Sequence, residues 1–413
     1  MLNKLRVKSD FSRYVMILAG GTAIAQAIPI LISPILTRLY TPEDFGALAI
    51  FVSITSIIGV IVNGRYELAI MLPERDEDAI NVAAVAFLFN IFISIIFFLF
   101  ILFFGDWLLE VLNAYNLDKL LYFSPLAVFL LGVFKILNYT NNRFKRYKDI
   151  SKANIYKSLM GAIVQVLMGI FKAGAEGLIT GYVVSLITSN TKLFINIKYL
   201  LKHIKIEKIR KMSIKFINFP KYSLLAGLLN TIGYQIVNIL IGIFYGQTTL
   251  GYYYLAIRVM GLPTSFIGNA ISQVFYKQAV DEKNNKASIN NSFDSTLKKL
   301  IIISVPIFTI IFFVIKPAFR IVFGENWETA GLYAMILTPM FAVNFIVKTF
   351  TLIPFIFNKN VIDLIFQFGV LIISISVFLF GAKDISSLLI VYSLLMTSYY
   401  FIYLFFLKIK VGK

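Results

Sequence analysis

Cysteine is absent from this chain, and histidine occurs once, as His203 in a basic polar stretch. The first absence excludes a disulfide framework and any thiolate metal site. The second excludes imidazole clusters and most histidine acid–base chemistry. Charge is also scarce. Asp, Glu, Lys and Arg make up 15% of 413 residues, against about 25% in soluble domains. Carboxylates are missing from the middle of every long apolar run, where the only charged residues are Lys135, Arg258 and Lys348. Glu67 follows the end of one run, and Asp363 opens another.

What is abundant is hydrocarbon. Hydrophobic residues are 59% of the chain, and the mean hydropathy is +0.81. A span needs roughly 20 apolar residues. The chain is therefore read as all-α and polytopic, with twelve spans near 14–36, 46–64, 81–104, 119–141, 153–171, 177–197, 222–244, 251–276, 297–319, 329–352, 361–380 and 386–407. The opening MLNKLRVKSDFSRY is not read as a cleavable signal, because the apolar run behind it is too long and no small-residue cleavage site follows.

The net charge of +18 does not point to nucleic acid, since no soluble basic domain exists to hold it. It reports topology instead. With the N-terminus inside, 30 of the 39 Lys and Arg fall on the cytoplasmic side. Six fall outside, among them Lys383, and three lie within spans. The positive-inside bias places both termini in the cytoplasm. The basic stretch 201–221 divides the chain into a six-helix lobe over 1–200 and another over 222–413. Its mixture of cations and aliphatics suggests an amphipathic segment on the anionic inner leaflet.

The halves resemble each other. LYTPEDFGALAI joins the first two spans, and FYGQTTLGYYYLAI joins the seventh and eighth. A shift of 205 residues pairs Tyr40 with Tyr245, Phe45 with Leu250 and Gly46 with Gly251. Each half has an even number of spans, so the repeat is parallel.

Polar residues inside the spans are the candidate site. Span eight carries Tyr254, Arg258, Gly261, Ser265, Gly268, Ser272 and Tyr276 at helical spacing, which predicts one face. Span seven carries Asn230, Tyr234, Asn238 and Tyr245, with Gln235 beside them. Span one carries Thr22, Gln26, Pro29, Ser33 and Thr37, and span two carries Ser53, Ser56 and Asn63. Such stripes serve interhelical packing as well as substrate paths. Taken together they suggest a polar cavity between the halves, and its cations suit an anion such as pyrophosphate. Arg258, Lys135, Lys348, Asn230, Asn238, Gln26 and Asn63 are its expected lining. Lys348 lies near the cytoplasmic end of its span and can simply snorkel. Arg65 and Glu67 are expected to pair at the cytoplasmic mouth, with Arg38 as an outer gate or interface anchor. Pro29 and Pro34 mark a hinge or a static irregularity in span one. No metal site is expected. The outer loops are too short for a catalytic domain and no paired-carboxylate motif stands out, so no enzymatic activity is expected.

LTRLYTPEDFGALAIFVSI, RYELAIMLPERDEDA, the basic loop NNRFKRYK and YYYLAIRVMGLPTSFIGNAISQVFYK resemble the Wzx-type polysaccharide flippases of the multidrug/oligosaccharidyl-lipid/polysaccharide exporter superfamily. The resemblance implies two six-helix lobes around a cationic cavity in a bacterial inner membrane. It implies alternating-access transfer of an undecaprenyl-pyrophosphate-linked oligosaccharide to the periplasmic leaflet, for surface glycans such as the O-antigen of lipopolysaccharide. Arg258 would contact the pyrophosphate or acidic sugars. No cofactor is implied, and some members draw on proton or sodium gradients. A polysaccharide polymerase and chain-length proteins are the expected protein partners. A drug or metabolite antiporter of the same superfamily is the alternative.

Overall fold

The computed structural model describes residues 2–286, 288–357, 359–379 and 384–411, so Lys383 lies outside the described residues. In chain order the α-helices are α1 (Leu2–Leu39), α2 (Pro42–Ile61), α3 (Tyr66–Ala69), α4 (Asp76–Val111), α5 (Ser124–Arg143), α6 (Tyr147–Ile170), α7 (Ala175–Ile195), α8 (Ile206–Lys215), α9 (Leu224–Met260), α10 (Asn269–Lys286), α11 (Asn290–Phe323), α12 (Glu328–Phe350), α13 (Ile353–Ile356), α14 (Asn360–Leu379) and α15 (Ile385–Val411). No strand occurs among the described residues.

Eleven stretches are long and apolar enough to cross a membrane, and one of them, Phe219–Lys283, has 65 residues. At about 1.5 Å per residue a straight rod of that length would be roughly three times as long as a bilayer core is thick. The chain solves this at Gly246, whose φ of +81° and ψ of 171° break α9 into two arms. Only glycine adopts that backbone freely. The stretch thus holds two spans, and the twelve expected spans are present. Large side chains such as Phe103 on α4 and Phe313 on α11 are exposed, as suits surfaces bathed in lipid.

The described chain forms two compact units. One runs to Gln235 and includes Gly246–Thr248. The other comprises Ile236–Tyr245 and everything from Thr249 onward. In the first unit α6 packs on α1 and α7, and α5 packs on α2, α4 and α7. α2 begins with a capping box. Thr41 donates from its N–H and its hydroxyl to Asp44 Oδ2 at 2.8 and 2.9 Å, and the Asp44 N–H returns a bond to Thr41 Oγ1 at 3.3 Å. Pro42 follows the cap, where its missing N–H is no loss. Tyr40 donates to the Gln165 carbonyl at 2.5 Å, tying this turn to α6. Phe45 and its repeat partner Leu250 are both fully buried.

Helix α1 runs unbroken through Pro29 and Pro34. Each proline removes one backbone donor. Side chains bond to the carbonyls of these same prolines: Ser33 Oγ donates to Pro29 O at 2.5 Å, and Thr37 Oγ1 to Pro34 O at 3.1 Å.

The basic stretch after span six is structured. A 3₁₀ turn over Lys198–His203 leads to α8, whose Met212 is buried with Phe216 in a cluster containing Tyr66, Ala79 and Val82. In the second unit α12 is central, packing on α10, α11 and α15. Phe350 at its end meets Phe275 and Phe293, with ring centroids at 4.9 and 4.5 Å.

Candidate functional site

The residues that come together lie in the first unit, around the turn that ends span two. Helix α2 gives way to Gly64 and Arg65, both left-handed at φ +56° and +61°. For Gly64 this is free. For Arg65 such a backbone costs on the order of 1–3 kcal/mol and persists only where the surroundings fix it. Three contacts do so. Asn63 Nδ2 donates to the Gly132 carbonyl at 3.0 Å, the Tyr66 hydroxyl donates to the Ser213 carbonyl at 2.8 Å, and the Tyr66 ring packs on Phe89 at 5.3 Å.

The strained turn holds Arg65 Nη1 3.9 Å from Glu67 Oε1, and the Glu67 side chain is only 2% exposed. The expected pair therefore forms, but its carboxylate lies in the interior. Lys135, from α5, donates from Nζ to the Gly59 carbonyl at 2.5 Å. It lies within electrostatic reach of Glu67 and Arg65. Burial pushes the Glu67 carboxyl above the ordinary carboxylate range, while a backbone hydrogen bond, Lys135, Arg65 and Asn63 pull it back. Three buried polar atoms in this group have no hydrogen-bond partner: Asn63 Oδ1, Arg65 Nε and Glu67 Oε2. The arrangement is two cations against one carboxylate, with a donor and two acceptors unused. Chemically, it can hold an anion on its cations and a proton on its carboxyl.

Helix α5 organises this region through its backbone. Asn63 bonds to the carbonyl of Gly132, Asn90 of α4 to that of Phe129 at 3.0 Å, and Asn190 of α7 to that of Leu130 at 2.8 Å. Such side-chain bonds hold helices together where water is excluded. Ser53 on α2 donates to Gln235 Oε1 at 2.9 Å, so Ser53 and Asn63 bond to different neighbours.

The other expected residues are placed elsewhere. Gln26 on α1 and Asn230 on α9 are half-buried in the first unit. Arg38 is exposed and donates to its own helix at Pro34 O, 2.6 Å away. Arg258, Asn238 and Lys348 belong to the second unit, the first two half-buried and Lys348 exposed.

The single stripe expected through Arg258 is not observed. Helix α9 ends at Met260, the chain passes Pro263 into a π-helical turn over Thr264–Gly268, and α10 begins at Asn269. A π turn takes in an extra residue, so Tyr254 and Arg258 do not share a continuous face with Ser272 and Tyr276. Ser272 bonds to the Thr349 carbonyl of α12 at 3.3 Å, and Tyr276 is exposed. Two residues of interest were missed. Tyr139 interacts electrostatically with Glu67 and Arg65. It stands four residues beyond Lys135, a spacing that signals a shared helix face. Lys157 sits inside α6 with Nζ 4.4 Å from the Phe134 ring centre. Its neighbourhood of lysines hid it among cytoplasmic charges.

A family profile described as "Polysaccharide biosynthesis protein" matches residues 35–332. The chain is 22% identical over 315 residues to the succinoglycan biosynthesis transport protein ExoT of Rhizobium meliloti (strain 1021), covering 74% of this chain and 62% of that protein. It thus spans less than two thirds of that relative's length. Among solved structures, lipid II flippase MurJ in an inward closed conformation aligns with a TM-score of 0.76 at 14% identity, covering 95% of this chain and 87% of that one. An inward-facing multidrug resistance MATE family transporter of the MOP superfamily aligns at 0.69 with 12% identity, covering 95% and 94%. The fold is the one these transporters share.

Proposed function

We propose, on the premise that this chain belongs to the polysaccharide biosynthesis protein family, that it is a flippase for a lipid-linked oligosaccharide. Its cargo is an undecaprenyl-pyrophosphate-linked glycan, moved from the cytoplasmic to the periplasmic leaflet of a bacterial inner membrane. The product feeds a surface polysaccharide of the O-antigen or lipopolysaccharide type. The observation that carries this reading is the excess of half-buried positive charge beside the span-two turn, Arg65 and Lys135 against the buried Glu67 alone. A doubly ionised pyrophosphate is the natural partner for a guanidinium fork and an ammonium that are only partly exposed to water. Within the first unit Gln26, Asn63 and Asn230 extend the contact to the glycan, and Arg258 and Asn238 are a separate proposed contact in the second unit. Lys348 and Arg38 guide the charged head at the two membrane faces. The six-helix lobes 1–200 and 222–413, joined by 201–221, move in alternating access. Pro29 and Pro34 lend α1 its flexibility.

The decisive test uses a strain whose surface glycan depends on this chain. R258A, R65A and K135A at normal expression should each abolish surface polysaccharide and leave lipid-linked units on the cytoplasmic leaflet. Full surface glycan in all three would overturn the assignment.

A second reading is favoured by one observation, the buried Glu67. Antiporters of cationic drugs or metabolites draw on interior carboxylates. Drug resistance on expression that is lost in E67Q, with surface glycan unchanged, would select it.

A further inference from the structure

The chain between spans six and seven has two apolar faces, and only one is used by the protein. Helix α8 buries Met212 and Phe216 against the first unit, with Ile209 packed beside them. Polar contacts fix the same side: Lys208 Nζ lies 2.8 Å from Glu77 and 3.1 Å from Asp78, the Lys205 N–H donates to Asn81 Oδ1 at 2.9 Å, and Asn81 donates to the His203 carbonyl at 3.1 Å. On the opposite side, at helical spacing, stand Ile206, Arg210 and Ile214. Ile206 is 86% exposed and Ile214 is 65% exposed. Exposed with them are Lys198, Lys202, Lys205, Lys211 and Lys215, against Glu207 as the one exposed acid of this stretch.

We infer that this second face docks on the anionic phospholipid of the cytoplasmic leaflet. Two observations select that occupant. The first is position: span six ends at Ile195, and the 3₁₀ turn begins three residues later, so the segment starts where the chain leaves the bilayer. The second is chemistry. Aliphatic side chains flanked by lysine and arginine match a surface that offers acyl chains just beneath phosphate. Tyr199 and Leu201, exposed on the 3₁₀ turn, extend the apolar strip toward the span. Because the Tyr66 hydroxyl bonds to Ser213 in α8, the lipid contact also sets the position of the turn that carries Arg65 and Glu67.

The native chain lacks cysteine, so single labels can be placed directly. I206C and I214C lie on exposed positions that pack against nothing in the first unit's core. Each is labelled with an environment-sensitive fluorophore, and the full chain is reconstituted in nanodiscs of phosphatidylcholine alone or mixed with phosphatidylglycerol. Both labels should be quenched by headgroup-level spin-labelled lipid and shielded from aqueous iodide, more strongly with phosphatidylglycerol. Replacing Arg210 and Lys211 by Gln should weaken the anionic-lipid response roughly fivefold per cation, the equivalent of about 1 kcal/mol each. Free access of iodide in both lipid mixtures overturns the inference. So does shielding that grows with protein-to-lipid ratio, which would mark a second copy, or shielding that requires an added soluble protein fraction.

Discussion

Replacing Arg65 by Gln tests whether Arg65 lowers the proton affinity of the buried Glu67. The two side chains approach to 3.9 Å, and Glu67 is 2% exposed while Arg65 is 23% exposed. At an effective dielectric near 20 this attraction is about 4 kcal/mol. The net loss on substitution is smaller, because Lys135 remains and the carboxyl can take up a proton. The sign follows from burial. Glu67 titrates above the ordinary carboxylate range in the folded chain. Its contribution to stability is fully present below the unfolded carboxyl's pKa and is lost as pH rises through the folded one. Removing Arg65 raises the folded value further and extends the loss toward neutral pH. In detergent, R65Q should therefore match the native chain at acid pH and fall progressively below it as pH rises. One proton limits the slope to about 1.4 kcal/mol per pH unit. Thermal unfolding followed across acid to neutral pH reads this directly, and the double substitution R65Q/E67Q should flatten the curve. An R65Q chain whose deficit is the same at every pH would refute the electrostatic argument and leave only lost packing.

Two further predictions concern packing. In G132A the new methyl carbon would lie 2.6 Å from Asn90 Nδ2 and 2.8 Å from Asn63 Oδ1; displacing both asparagines should lower stability by about 1–3 kcal/mol, two interhelical bonds at roughly 0.6–1.7 kcal/mol each, and an unchanged midpoint in thermal unfolding would contradict it. T41V removes the hydroxyl from the cap of α2 and should cost about 1 kcal/mol, with a midpoint equal to native counting against the capping account.

The architecture was legible because a bilayer imposes a length on every apolar run. The break at Gly246 could be anticipated from the short polar joint between two such runs and from its likeness to the Tyr40 turn. The face of span eight could not. Its spacing was projected onto an ideal helix, but Pro263 cannot donate its backbone N–H, and the turn over Thr264–Gly268 changes the pitch. The Arg65–Glu67 pair could be read because two residues separate nothing more than one turn. Lys135 comes from another helix, and only tertiary register decides that its ammonium reaches the Gly59 carbonyl. Sequence also could not tell Ser53 from Asn63. Ser53 lies on α2 and Asn63 in the turn just past its end, yet one bonds to α9 and the other to α5.

The asparagines of the turn after α2, of α4 and of α7 recognise α5 by its main-chain carbonyls, not by its side chains. Identity along that stretch is therefore set not by these bonds but by packing, as at Phe129 against Phe87, at Leu131 against Gly59 and at Gly132, where there is no room. Phase is not free either. Adding or deleting a single residue between Phe129 and Gly132 would rotate the carbonyls by about 100° and uncouple three neighbours together. Evolution in this helix should thus accept exchanges that keep the packing and almost no changes of length, a pattern that deep insertion and deletion scanning can read.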